Sequence, residues 1–490
     1  MTGNENNMGQ GWKGTRGAVA VGHLETVRAA AITLDEGGNA FDAALAAMTA
    51  ACVAEPVLSS LGGGGFMLAR PVDGKAVLYD FFVQTPQKYS PAENREFYPV
   101  LCDFGTAQQE FHIGKASIAT PGAVKGMFAI NRDLGRMPMQ KIIEPALALA
   151  RNGIKMNKLQ AYIFSVVGGI HLSTAASRAI FVSKEDSTRL LGEGEMISNP
   201  AYADTLEVLA IEGEDLFYRG EIAARISADC QAGGALTRAD LEGYCIEHRS
   251  PLNLEYCGAG LFTNPPPSTG GILIAFALQL LKECSIGSFR FGTAAHLQRL
   301  VRIMELTNLA RVESRLHQAS DDETAETLLD PGFLEVYRVK VLDGPKASRD
   351  TTHISIIDDD GNAAALTLSN GEGAGYIIPE TGIMLNNMLG EEDINPHGFH
   401  AWPMGVRMCS MMAPTLVVEP EGCLIALGSG GSNRITHGAR SGAQQSSRLR
   451  DADWQRHRQP AGPLRSQSAE YRDRLRCRPG RRTDCQVFDP

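Results

Sequence analysis

Signatures of metal and redox chemistry are missing from this chain. Its ten cysteines stand at positions 52, 102, 230, 245, 257, 284, 409, 423, 477 and 485, and no pair has Cys-x-x-Cys spacing. That excludes a zinc ribbon or a dithiol redox motif. There is no His-Glu-x-x-His and no histidine cluster, so neither a catalytic metal nor any other cofactor is expected. No apolar run is long enough to cross a bilayer. Met1 to Arg16 is polar and rich in Gly and Asn, without the apolar core of a secretion signal. Scattered thiols and no export signal predict a cytoplasmic protein with reduced cysteines and no membrane partner. The run Gly62–Gly65 lacks the Lys-Ser/Thr of a P-loop and the spacing of a dinucleotide fingerprint. It reads as a close-packed turn before a strand at Phe66.

What is present suits a soluble globular protein: 490 residues, 43% hydrophobic and 21% charged. The most telling stretch begins at Thr351. Thr351 to Asp358 alternates as a short strand, Asp359-Asp360-Gly361-Asn362 is a turn, and Ala363 to Asn370 is a second strand. The pattern predicts a β-hairpin. Its ends meet, so the Thr351 hydroxyl gains Thr367, Ser369 and Asn370 as neighbours. A hydroxyl needs a base to become a nucleophile. His353 lies on the same strand face two residues on. The other available base is the α-amino group Thr351 would own after cleavage of the Asp350–Thr351 bond. The unperturbed pKa of such a group, about 7.7–8.0, suits proton transfer near neutral pH.

Downstream of the hairpin come Gly373-Ala374-Gly375, Glu380 to Asn387, Arg407 to Thr415 and Gly428-Ser429-Gly430-Gly431-Ser432-Asn433-Arg434. Upstream stand Gly37 to Ala44, Glu55-Pro56, Leu61 to Met67, Thr120 to Gly126 and Pro265 to Gly271. In this order the blocks resemble the γ-glutamyltransferase family of N-terminal-nucleophile hydrolases, over roughly residues 17 to 434. The resemblance implies an α+β fold, a four-layer αββα sandwich cut into two subunits. It divides the chain into a polar extension (1–16), a large subunit (17–350), a small catalytic subunit (351–433) and an aberrant tail (434–490).

The resemblance also implies a mechanism. Thr351 attacks the Asp350 carbonyl in the precursor and later a substrate amide, with its own amine as base. Ser369 stands where the family has a threonine bonded to the nucleophile, and Asn370 keeps the family's asparagine beside it. Gly431 and Ser432 match the backbone donors of the oxyanion hole. Glu391 falls near the acidic group that binds a glutamyl α-amine. The carboxylate clamp departs from the family. Its arginine is replaced by Phe82, and its Ser-Ser pair becomes Ser410-Met411. The expected function is transfer or hydrolysis of a γ-glutamyl amide of the glutathione type, in glutathione metabolism, with water, an amino acid or a peptide as acceptor. Phe82 keeps open a same-fold acylase on another amide, and the tail keeps open an inactive product.

Helical spacing predicts helices over Leu24–Glu36, Asn39–Val53, Met139–Arg151, Gly271–Leu281 and Leu297–Arg315. Between Arg434 and Pro490 stand 13 Arg, no Lys and 6 acidic residues, a balance of +7, with only six large aliphatic or Phe side chains. No nucleic-acid motif accompanies this charge, so no nucleic-acid partner is expected. Where the family continues with an amphipathic helix and closing strands, this composition resembles disorder. It is expected to arise from a frame shift soon after Arg434. Resequencing the coding DNA should then reveal, in another frame near codon 435, an apolar helix-periodic continuation; finding none in any frame refutes the shift.

Overall fold

The computed structural model describes residues 11–13, 16–103, 108–283, 293–313, 351–395, 397–429 and 486–488. In chain order its strands are β1 (Gly11–Lys13), β2 (Gly17–Val21), β3 (Gly64–Arg70), β4 (Val77–Phe81), β5 (Tyr98–Asp103), β6 (Gln108–Ile113), β7 (Ile154–Lys155), β8 (Met196–Ile197), β9 (Glu247–Arg249), β10 (Leu252–Tyr256), β11 (Ala259–Thr263), β12 (Thr352–Asp358), β13 (Ala363–Ser369), β14 (Thr415–Val418), β15 (Leu424–Leu427) and β16 (Gln486–Phe488). One sheet has seven strands in the order β1-β2-β12-β13-β3-β4-β9; a second has five, β10-β11-β14-β15-β16. β1 adds part of the N-terminal stretch to the large sheet. β16 pairs in parallel with β15 and places three residues of the tail.

Alternation along the strands builds both cores. In β12, Ile354 and Ile356 join a cluster with Leu366 and Leu368 of β13 and with the helices Leu24–Asp35 and Ala40–Ala54. Ile357, Ala363 and Ala365 point the other way, among Leu416, Ile425 and the helix Gly270–Glu283. Period-2 geometry puts successive side chains on opposite faces. The layers therefore run helices, large sheet, small sheet, helices: the αββα sandwich.

The helix Ala40–Ala54 is buried along its whole length, as its uniformly apolar sequence predicts. Asn39 caps it, with Asp42 completing a capping box. The Asp358 carboxylate at the end of β12 accepts from Ala40 N (2.9 Å) and from Asn362 N (2.8 Å). One anion thus closes the hairpin turn and sits at a helix N-terminus.

The helices Gly270–Glu283 and Ala294–Glu313 run close to their expected limits. The helix expected over Met139–Arg151 is corrected to two, Met139–Ile142 and Glu144–Asn152. Pro145 has no N–H to give the Lys141 carbonyl, and its ring crowds that turn. Among the described residues no helix is long and apolar enough to cross a membrane.

A third cluster, around Phe164, Phe181, Leu190 and Ile170, encloses His171. Neither ring nitrogen has a hydrogen-bond partner. Burial drives this imidazole down to about 4. Above the unfolded value of about 6.5 both states are neutral and the fold keeps its full stability. As pH falls from there to about 4, the unfolded chain is protonated first and stability drops, by about 3 kcal/mol for this group. Thermal melts from pH 7 to 4 should show this loss, and His171→Phe should make it shallower, other buried histidines keeping their share. Parallel curves for the two proteins refute it.

Candidate active site

The strand register carries Thr351 to the end of the large sheet. Thr352 pairs with Leu368, so the next position sets Thr351 across from Ser369. Ser369 pairs with Gly64, and Gly65 with Phe81, which brings Phe82 into the same row. Thr351 and position 82 are thus three strand spacings apart, about 14 Å. Alternation turns Thr351, His353, Ser355, Thr367 and Ser369 toward the space between the sheets, and all five are buried.

That stripe is largely internally bonded. His353 Nδ1 pairs with Thr367 Oγ1 at 2.8 Å and Nε2 with Ser355 Oγ at 2.9 Å. Its ring lies flat on Gly428, where a side-chain carbon would fall 2.1 Å from Cε1. Burial pushes the imidazole down to about 3. His353 is therefore neutral and committed to two hydroxyls. Both of its ring nitrogens are thus engaged, which leaves it no free nitrogen to serve Thr351 as a base. Gly428 follows β15, so His353 packs the end of β15 against β12.

At the other end of the stripe, Ser369 Oγ accepts from Gly371 N (3.1 Å). Asn370 is fully buried, and neither atom of its amide has a hydrogen-bond partner. Such a group normally costs about 1–3 kcal/mol, which makes it a natural place for a ligand. The Glu391 carboxylate and Asn387 Oδ1 crowd Gly371, each about 2.1–2.2 Å from where a Cβ would stand. The structure thus brings Glu391 against Gly371, the residue after Asn370. Asn387 Oδ1 accepts from Glu372 N (2.9 Å), and Glu372 itself is buried there. The sequence reading passed over Glu372; its signal was an acid between two glycines in Asn370-Gly371-Glu372-Gly373. It also assigned nothing to Asn386, whose amide bonds the Gly62 carbonyl (2.9 Å) and the Ala119 carbonyl (2.9 Å) and knits the site's backbone together. Gly63 lies against the Ser369 carbonyl, 2.2 Å from where a Cβ would be. The run is close-packed as expected, but only Gly62 and Gly63 form the approach; Gly64 and Gly65 already belong to β3, which corrects the expected strand start at Phe66.

The clamp positions are occupied by core. Phe82 stacks on Phe66 at 5.5 Å, with Met411 in the same inter-sheet cluster. Met411 Sδ lies 3.2 Å from Thr269 Oγ1. Ser410 Oγ accepts from Met412 N at 3.0 Å. Arg407 is the cation behind Phe82. It donates to the Phe82 carbonyl and the Tyr244 hydroxyl, and to the Cys245 carbonyl at 2.5 Å. Asp80, which faces it at 3.6 Å, also holds Arg249 at 2.8 Å. Asp350, Gly431 and Ser432 lie outside the described residues. No group of His, Cys, Asp and Glu among the described residues could hold a metal ion.

The sequence model of the family described as Gamma-glutamyltranspeptidase matches residues 26–442. The chain belongs to that family. It is 32% identical over 444 residues to a glutathione hydrolase proenzyme of Escherichia coli (strain K12), covering 82% of this chain and 73% of the relative. It is 29% identical over 441 residues to the acylase ACY 1 proenzyme of Pseudomonas sp. (strain SE83), covering 86% and 78%. Among solved structures, a cephalosporin acylase from Bacillus halodurans superposes with a TM-score of 0.69 at 23% identity, over 86% of this chain and 78% of that one. The Helicobacter pylori gamma-glutamyltranspeptidase gives 0.56 at 24%, over 66% and 91%. These two likenesses establish the sandwich fold of the family.

The burial of Phe82 sets an expectation for its replacement. Phe82→Arg puts a guanidinium into the inter-sheet core, away from water and next to the committed Arg407. Uncompensated burial of a charge costs several kcal/mol. The variant should melt well below wild type and gain no affinity for a carboxylated substrate. A stable Phe82→Arg protein with a lower KM for a γ-glutamyl anilide contradicts this placement.

Proposed function

We propose that the chain cleaves itself before Thr351 and then transfers or hydrolyses an amide through an acyl ester on that residue. The observation that carries this reading is the position of Thr351. It is buried at the end of β12, on the inter-sheet face, one register step past Leu368 and across from Ser369. In the precursor, Thr351 Oγ adds to the Asp350 carbonyl and the C–N bond breaks, which frees the Thr351 amine and leaves an ester; water then hydrolyses that ester, releasing the Asp350 carboxylate and restoring the Thr351 hydroxyl. In the mature protein that amine takes the hydroxyl proton as Oγ attacks the substrate carbonyl, and returns it to the leaving nitrogen. Backbone N–H groups at Gly431 and Ser432 hold the oxyanion. Water or an amino group then takes the acyl chain. The relatives named proenzymes support a precursor of this kind.

γ-Glutamyl amides are the first proposed substrates. They are supported by the glutathione hydrolases among the relatives and by Glu391, packed against Gly371, as the receptor of an α-amine. The burial of Phe82 and Met411 favours a second reading, an acylase on another amide, which the ACY 1 relative also supports. The seven described cysteines are free thiols, which suits the proposed cytoplasmic setting.

Intact mass of the purified protein should show two pieces, of 350 and 140 residues, from the chain of 490. Thr351→Ala should give one uncut chain without amidase activity. A folded wild-type protein that stays uncut and still hydrolyses amides rules the mechanism out.

A further inference from the structure

A cleft of about 350 Å³ is lined by none of the residues assigned to acyl transfer. Its volume falls at the lower end of small-molecule pockets. One wall is the helix Ala175–Phe181, which presents Ala176, Ala179 and Ile180 at helical spacing. Leu191 and Met196 form a second apolar wall, and Met196 is half exposed. The third wall is the turn at 377–382. Asn199 Nδ2 fastens this turn to the floor by donating to the Gly382 carbonyl (2.9 Å). Leu191 N bonds the Phe181 carbonyl (2.9 Å) and ties the first two walls together. The cleft is thus built before any ligand arrives, with apolar walls open to water, a surface that favours being covered.

The polar groups of the lining are unequally engaged. Its acceptors are in use. The Ile378 carbonyl accepts from Thr381 Oγ1 (2.9 Å), the Pro379 carbonyl from Arg225 Nη1 (2.8 Å) and Asn199 Oδ1 from Tyr202 N (3.2 Å). Two side-chain donors are not. Among the described residues, Lys184 makes no ion pair and the Ser198 hydroxyl no hydrogen bond. We propose that this cleft binds a free aliphatic monocarboxylate, its chain along the alanine face and its head at Lys184 and Ser198. Lys184 is the one cation of the lining, which suits a single negative charge, and a hydroxyl beside it adds a second donor. Glu380 is the carboxylate that an incoming anion meets there, and Arg225 offsets its charge at 2.8 Å. Binding here goes beyond acyl transfer and does not depend on Thr351.

Calorimetric titration of the full chain with octanoate, octanol and butyrate tests this. Octanoate should saturate one site, about 10-fold tighter than butyrate because its extra methylenes are partly buried. It should also bind about 10-fold tighter than octanol, because its head is charged. Lys184→Gln should erase the preference over octanol, and Ser198→Ala should reduce it. Ala179 is exposed on its helix, so Ala179→Trp fills the cleft without entering the core. That variant should lose octanoate binding and keep the wild-type melting temperature. Thr351→Ala should bind octanoate as wild type does, whatever becomes of the proposed acyl transfer. Octanol binding as tightly as octanoate overturns the proposal, and so does octanoate binding that neither Lys184→Gln nor Ala179→Trp weakens. Failure to saturate at millimolar octanoate overturns it as well; saturation by a short apolar peptide in its place would assign the cleft to a peptide instead.

Discussion

The antiparallel ladder from β2 through β12 and β13 to β3 is the constraint on which the site depends. A slip of one residue in any of these pairings would turn Thr351 from the inter-sheet space into the helix layer. Register is held from both sides. Ile354, Ile356, Leu366 and Leu368 must face the buried helix, while Ile357, Ala363 and Ala365 must face the small sheet. Asp358 adds a polar lock by bonding the helix start at Ala40 as well as its own turn. These contacts join residues on opposite sides of the proposed cleavage point. The two pieces would therefore remain one folded unit after the chain is cut.

A polar stripe inside an apolar interface is costly unless each member is bonded. His353, Thr367 and Ser355 meet that condition among themselves, with the imidazole held neutral by burial. This arrangement explains how a histidine can stand two residues from Thr351, the proposed nucleophile, with no nitrogen left to serve as its base. Asn370 breaks the pattern, since its buried amide has no partner. The bonded part of the stripe gives rigidity, and the unbonded part, next to Glu391, marks where a ligand's polar groups would be received.

The substrate end shows how one change in the core alters a site. Phe66 and Phe82 stack across neighbouring strands and fill space that a long cationic side chain could not occupy without being desolvated. Arg407 and Arg249 are nearby, yet both hold the buried Asp80. Local charge at this position is therefore structural.

Much of this protein could be read before any coordinates. The hairpin at Thr351 and the capped apolar helix after Asn39 follow from period, capping and turn chemistry, which act over a few residues. The order of the motif blocks pointed to the family and hence to the sandwich. The break at Ile143 was also local, and Pro145 could have announced it. Other features depend on contacts between segments far apart in the chain. The capture of His353 by Thr367, Ser355 and Gly428 and the burial of Phe82 on Phe66 are of this kind. No local rule states which side chain fills a given space between two sheets. Packing of the whole chain settles that, because each of these groups is placed by neighbours tens to hundreds of residues away.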